Sequence, residues 1–245
     1  MTRFSAQFLG AALLALSTAA GVQARQPGAV LDAHSTRNAV DWAGTYMGTL
    51  PSTSGTGYRT VLVLKDSGRY QLLQDIEHRG RPQAFRAAGR FRWDQAGSVI
   101  TLDDKGDGQR FFVSEGFVQL HGDAPPAPAM AADYQLGKML SYPSRNEELL
   151  IDPRSLHEDQ PRKGWVSFDG VWNMAHPTQA GHKSLSARFE INCAQRSYRM
   201  PTLSYHALPY QRGRLIDRAT NNDHDIPVTV QDKVMTRVMK DHCPR

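Results

Sequence analysis

The chain has 245 residues, and 29 Lys and Arg against 24 Asp and Glu give it a formal net charge of +5. Bases so evenly scattered, without aromatic residues interleaved among them, argue against a nucleic-acid platform. The length exceeds what one small domain needs and indicates two.

The first 24 residues read as a secretory leader: Arg3 is the positive start, 8–20 the apolar run, and Val22, Gln23 and Ala24 the small-residue cleavage site. That run is too short for a bilayer, and no later stretch approaches the roughly 18 apolar residues of a spanning helix. The mature protein is therefore expected in the periplasm or secreted, beginning near Arg25, and without a Cys at the cleavage site no lipid anchor is expected. Residues 25–40 carry little apolar pattern and read as a flexible N-terminus.

From Trp42 onward short strands recur between turn signals, at 42–50, 58–64, 69–76, 84–93, 98–102, 110–114, 117–121 and 134–138. Eight strands suit a small antiparallel barrel. In Arg90, Phe91, Arg92, Trp93 the aromatics fall on one face and the bases on the other, so Phe91 and Trp93 are core candidates. The Ala- and Pro-rich segment 124–132 reads as a long loop before the closing strand, and 141–146, around Pro143, as the linker to a second unit.

The segments WAGTYMGTLP, YRTVLVLKDSGRYQL, GRFRWDQAGSVITLD and YQLGKM, within residues 42–139, resemble the N-terminal domain of the NlpE copper-resistance lipoproteins. The resemblance implies a lipocalin-like β-barrel in the envelope, with a role in copper resistance or in reporting envelope stress. Two positions of the family's Cys-x-x-Cys pair are Ser52 and Gly55 here. A hydroxyl and a bare glycine cannot replace two thiolates for soft Cu(I), so the fold carries over and the metal function does not.

Residues 148–153 open the second unit as a strand and turn, and 165–172 form another strand in which Gly170 marks a bulge or bend. In 183–199 Leu185, Ala187, Phe189, Ile191 and Cys193 alternate with polar residues, which directs Cys193 to the core. Pro227 stands near a helix start, and Val230, Val234 and Val238 with Met235 and Met239 give an amphipathic helix of three turns packed on the sheet. Two cysteines in a secreted chain, one in a core strand and one after the last helix, indicate a disulfide between Cys193 and Cys243. Two free thiols forming a redox or copper site would need a reducing environment. LLIDPRSL, the tryptophan strands, FEINCAQRSYRM and the terminal helix make residues 147–245 similar to the surface-adhesin protein E family, which implies an α+β module that contacts other proteins.

The nine histidines show no His-x-His or His-x-x-His spacing. The loop Asp103, Asp104, Lys105, Gly106, Asp107, Gly108 lacks the acid that a calcium loop needs at its twelfth position, where Ser114 stands. No nucleophile elbow, phosphate loop or zinc-protease motif occurs. The expectation is a mainly β, two-domain, non-catalytic envelope protein without cofactor or bound metal, binding an envelope protein, a small ligand or an anionic surface polymer. An adhesin-like binding protein and an unrecognised hydrolase are the alternatives.

Overall fold

The computed structural model describes residues 35–52, 57–78, 81–122, 127–220 and 222–244. The leader, with its cleavage site, lies outside the described residues. The end of the stretch expected to be loose is a helical turn, α1 (Thr36–Ala39), pinned to the first domain by Arg37 N donating to Gly97 O at 2.9 Å and Trp42 Nε1 donating to Arg37 O at 3.1 Å.

Strands β1 (Gly44–Leu50), β2 (Tyr58–Lys65), β3 (Arg69–His78), β4 (Arg81–Trp93), β5 (Val99–Leu102), β6 (Arg110–Ser114), β7 (Phe117–Leu120) and β8 (Gln135–Lys138) pair in sequence order. Pairing of β1 with β8 closes them into an antiparallel barrel. All eight coincide with the strands read from the sequence, because period-two patterning and turn residues agree there. The β2–β3 turn requires Gly68 at φ 72°, a left-handed conformation that glycine adopts without a Cβ penalty. The segment read as a loop before β8 contains a 3-10 helix, Pro128–Tyr134.

The barrel interior holds a packed side-chain core. Tyr46, Leu62, Leu72, Ile100, Phe111, Val118 and Leu136 are among its buried residues, and Trp42, Phe91 and Trp93 close one part with edge-on ring contacts of 5.4–6.2 Å between centroids. A side-chain core of this kind is what an eight-stranded barrel has room for.

The second domain is one antiparallel sheet. Its strands are β9 (Leu140–Pro143), β10 (Glu147–Ile151), β11 (His157–Glu158), β12 (Trp165–Met174), β13 (Ser184–Asn192), β14 (Ser197–Arg199), β15 (Thr202–Leu208), β16 (Arg212–Thr220) and β17 (Ile226–Pro227). The main order is β16-β15-β13-β12-β10-β9. Residues 141–146, read as a linker, are the end of β9 and the turn of the β9–β10 hairpin, and Pro143 is tolerated because β9 is an edge strand. The run 183–199 is two strands, β13 and β14, separated by a turn with Arg196 at φ 52°. Gly170 does not bulge β12: the register against β13 is continuous from Trp165 to Asn173. A Cβ at Gly170 would come within 3.1 Å of the Phe189 ring, so glycine leaves room for that ring.

Helix α2 (Lys233–His242) starts later than the pattern suggested. Asp232 is its N-cap, accepting from Met235 N at 2.9 Å, while Pro227 belongs to β17 and Val230 is 88% exposed outside the helix. Val234, Met235, Val238 and Met239 are buried against Phe168, Trp172, Leu185, Phe189 and Tyr198 of the sheet. Met235 and Met239 are therefore core residues. The disulfide Cys193–Cys243 ties the turn after β13 to the end of α2, with Cα atoms 5.6 Å apart.

Candidate functional site

The opposite face of this sheet meets the barrel, where Met139, Leu150 and Val171 pack with Met47 and Tyr210. The connection is completed by the turn between β15 and β16. Tyr210 and Gln211 both take left-handed backbone conformations, φ 64° and 57°, which L-residues adopt at a cost of roughly 1–2 kcal/mol each. Side-chain bonds from the sheet hold them there: Asn173 Oδ1 accepts from Tyr210 N at 2.6 Å, and Ser184 Oγ accepts from Gln211 N at 3.0 Å while donating to Leu208 O at 2.6 Å. The turn delivers Arg212 onto Asp75 of β3. Arg212 Nη2 donates to Oδ1 at 2.6 Å and Nε to Oδ2 at 3.1 Å, with the Arg212 side chain 1% exposed.

Beside this clamp lies an open cleft of about 630 Å³, within the range of small-ligand sites. The barrel contributes Met47, Thr49, Arg59 and Thr60; the second domain contributes Arg154, from the 3-10 turn Pro153–Ser155, and Arg188, Ser186, Ser204 and Arg218 from its strands, among others. Two of the arginines are neutralised. Asp152 accepts from Arg154 Nε at 2.9 Å and Nη2 at 2.8 Å, and Arg188 Nη1 stands 3.3 Å from Asp169 Oδ1. Burial pushes the Asp152 carboxyl up, but the Arg154 bonds outweigh it and leave its pKa below the ordinary carboxylate value. Arg154 also lies over Gly137 of β8, where a Cβ would approach the guanidinium carbon to 3.1 Å. Behind the cleft His206 is buried, its Nε2 3.2 Å from Ser186 Oγ. Burial, and then the positive fields of Arg59 and Arg218, lower its pKa.

A Ser-His contact sits beside the cleft. Ser167 Oγ is 3.0 Å from His157 Nε2, and His157 Nδ1 is 2.9 Å from Ser155 O, which fixes Nε2 as the acceptor. Arg188 Nη2 donates to Ser167 Oγ at 2.8 Å and stands 3.0 Å from the same His157 Nε2. The nitrogen a general base would use thus faces a guanidinium, and Ser167 is 4% exposed. The cluster orders β11, β12 and β13 and offers no open nucleophile.

Of the positions singled out in sequence, Ser52 Oγ accepts from Gly57 N at 3.1 Å and Gly55 lies outside the described residues. Among the described residues no three His, Cys, Asp or Glu side chains are grouped to hold a metal, and no helix is long and apolar enough to cross a membrane. The Asp103 loop is a turn in which the carboxylate accepts from Tyr70 Oη at 2.6 Å and Arg90 N at 2.9 Å. The cleft was not anticipated from the sequence, since its walls come from β1, β2 and strands more than a hundred residues later.

The architecture is an eight-stranded barrel with a packed apolar core, clamped to a disulfide-closed sheet-and-helix module, with a cleft along their junction. Residues 46–127 match the NlpE N-terminal domain and residues 136–244 match surface-adhesin protein E, so the chain joins an NlpE domain to a surface-adhesin E domain, both from families of the bacterial envelope. No curated protein matches the chain. Among solved structures, a predicted lipoprotein of Shewanella oneidensis is 32% identical, over 43% of this chain and 95% of its own, with a TM-score of 0.39. Protein E of Haemophilus influenzae is 19% identical over 39% of this chain and 79% of its own, with a TM-score of 0.31. Protein E of non-typeable Haemophilus influenzae is 18% identical over 52% and 83%, again with a TM-score of 0.31.

Proposed function

We propose that the chain is a non-catalytic protein of the periplasm that binds a ligand or partner in the cleft between its two modules and serves envelope-stress or copper responses. The observation that carries this reading is the bidentate Asp75–Arg212 contact, which holds the barrel and the sheet as two walls of one site. The packed barrel core supports the same reading by directing ligands to the outer wall. Copper is handled indirectly in this scheme, since Ser52 stands at one family thiol position and both cysteines are joined in the disulfide.

The test is a deletion strain challenged with copper and with an envelope-stress inducer, complemented by the wild-type chain or by Arg212→Ala. Restoration by the wild type and not by the variant is expected; a deletion without effect on either response overturns the reading. Titration with Cu(I) against a competing chelator separates the copper arm, because tight one-to-one binding would make copper the ligand. The match of residues 136–244 to a surface adhesin favours a second reading, attachment to other proteins or polymers at the cell surface. Fractionation separates the two, as a wholly periplasmic pool argues against adhesion.

A further inference from the structure

Most charges along the cleft are paired, and two are not. Arg154 and Arg188 are met by Asp152 and Asp169, whereas Arg59 of the barrel and Arg218 of the edge strand β16 have no carboxylate partner among the described residues. Arg59 donates through Nη1 to the carbonyl of Gln211, and Arg218 through Nε to Ser204 Oγ at 3.3 Å, so each guanidinium retains most of its five donors. Both are close enough to act electrostatically on His206, which is 6% exposed and whose Nδ1 has no hydrogen-bond partner among the described residues. Two unpaired like charges from different modules therefore line the walls of one cleft, an arrangement that an anion would relieve.

From this juxtaposition we infer that the cleft is a site for a compact ligand bearing oxyanion groups, carboxylate or phosphate, which bridges Arg59 and Arg218. The inference rests on the cleft being the ligand-binding surface. Guanidinium forks match both oxyanions, and charge-assisted hydrogen bonds are stronger than neutral ones. The hydroxyls of Thr49, Ser186 and Ser204 along the same walls supply neutral partners for the remaining polar atoms of a ligand, and Met47 and Val171 an apolar side. The volume of about 630 Å³ suits an acidic oligosaccharide of a few residues or a phosphorylated small molecule.

Calorimetric titration of the disulfide-intact chain with trigalacturonate in one arm and inorganic tripolyphosphate in the other tests this, with the His206 imidazole signals followed by NMR. Saturation near one equivalent is expected in at least one arm, weakening as salt is raised and moving the His206 resonances; the arm that binds assigns carboxylate or phosphate. Arg218→Ala should weaken binding about tenfold or more, as expected for a lost hydrogen bond to a charged group. Arg59→Ala should do the same, while Arg92→Ala, on the barrel but outside the cleft, should not. Arg218 lies exposed on an edge strand, so its variant keeps the test valid even if Arg59→Ala loosens the Gln211 contact. No saturable binding in either arm, or equal weakening by Arg218→Ala and Arg92→Ala, overturns the oxyanion site. If the same chain still complements the deletion strain, the binding-protein reading stands without it; if complementation fails as well, both fall.

Discussion

Arg212 and Asp75, separated by 137 positions in the chain, meet as a bidentate ion pair at 2.6 and 3.1 Å, and the amide of Gly213 adds a third bond to the same carboxylate at 3.3 Å. Arg212 is almost wholly buried and Asp75 largely so. Desolvation makes the intact pair a modest net contributor, but removing one partner strands the other charge. Arg212→Ala or Asp75→Asn should therefore lower unfolding free energy by about 3–5 kcal/mol, and the double variant Asp75→Leu, Arg212→Met should recover much of that. Urea denaturation of the three variants checks this; additive losses would contradict it.

The disulfide closes a separation of 50 residues, for which the chain-entropy account gives about 4 kcal/mol through the unfolded state. Replacing both cysteines by serine should remove stabilisation of that order and speed hydrogen exchange in α2 well before exchange rises in the barrel strands. Equal acceleration in both domains would show that the bond stabilises more than its own module.

Acid should loosen the protein before its carboxylates titrate. His206 and His242 both have lowered pKa values, the first through burial and then through Arg59 and Arg218, the second through burial. Their unfolded forms take up a proton near pH 6.5, their folded forms only lower. As pH falls from about 6.5 through the folded values the unfolded chain binds more protons, so stability is full above that window and declines within it. Unfolding midpoints at pH 7.5, 6.5 and 5.5 should fall in that order, and His206→Gln should flatten part of the decline. An unchanged midpoint across this range would rule the mechanism out.

Gly89 of β4 faces Asp103 so closely that an added methyl group would fall on the carboxylate. Gly89→Ala should displace Asp103 from Tyr70 and Arg90 and cost about 1–3 kcal/mol, the range for overpacking. A thermal midpoint equal to the wild type would mean that the loop accommodates the methyl freely.

The barrel was legible because its strands alternate apolar and polar residues and its turns carry Gly, Asp and Ser. Both expected core aromatics are placed as the alternation implied, Phe91 buried and Trp93 half-buried. Strands β15 and β16 were hidden because β16, Arg212–Thr220, is a polar edge strand whose one buried side chain is an arginine, which no hydrophobic pattern reports. Val230 misplaced the helix start because it keeps the four-residue spacing while Asp232, the actual cap, follows it. The cysteine pairing needed only a count of two and a secretory context, and it matches the bond in the structure. The cleft could not be read at all: Arg59 and Arg218, 159 positions apart, line one cleft only once the barrel and the sheet are packed together.

Because a packed apolar cluster lies in the middle of the barrel, this half of the molecule separates durability from recognition. Substitutions at Leu62, Leu72 or Ile100 change how long the barrel survives and leave the outer wall facing the cleft as it was. Substitutions at Thr49 or Arg59 change what that wall meets while the interior stays packed. In a lineage of such chains the two properties can drift at different rates, with variation on the wall tracking a changing partner and variation inside tracking the temperature at which the cell lives.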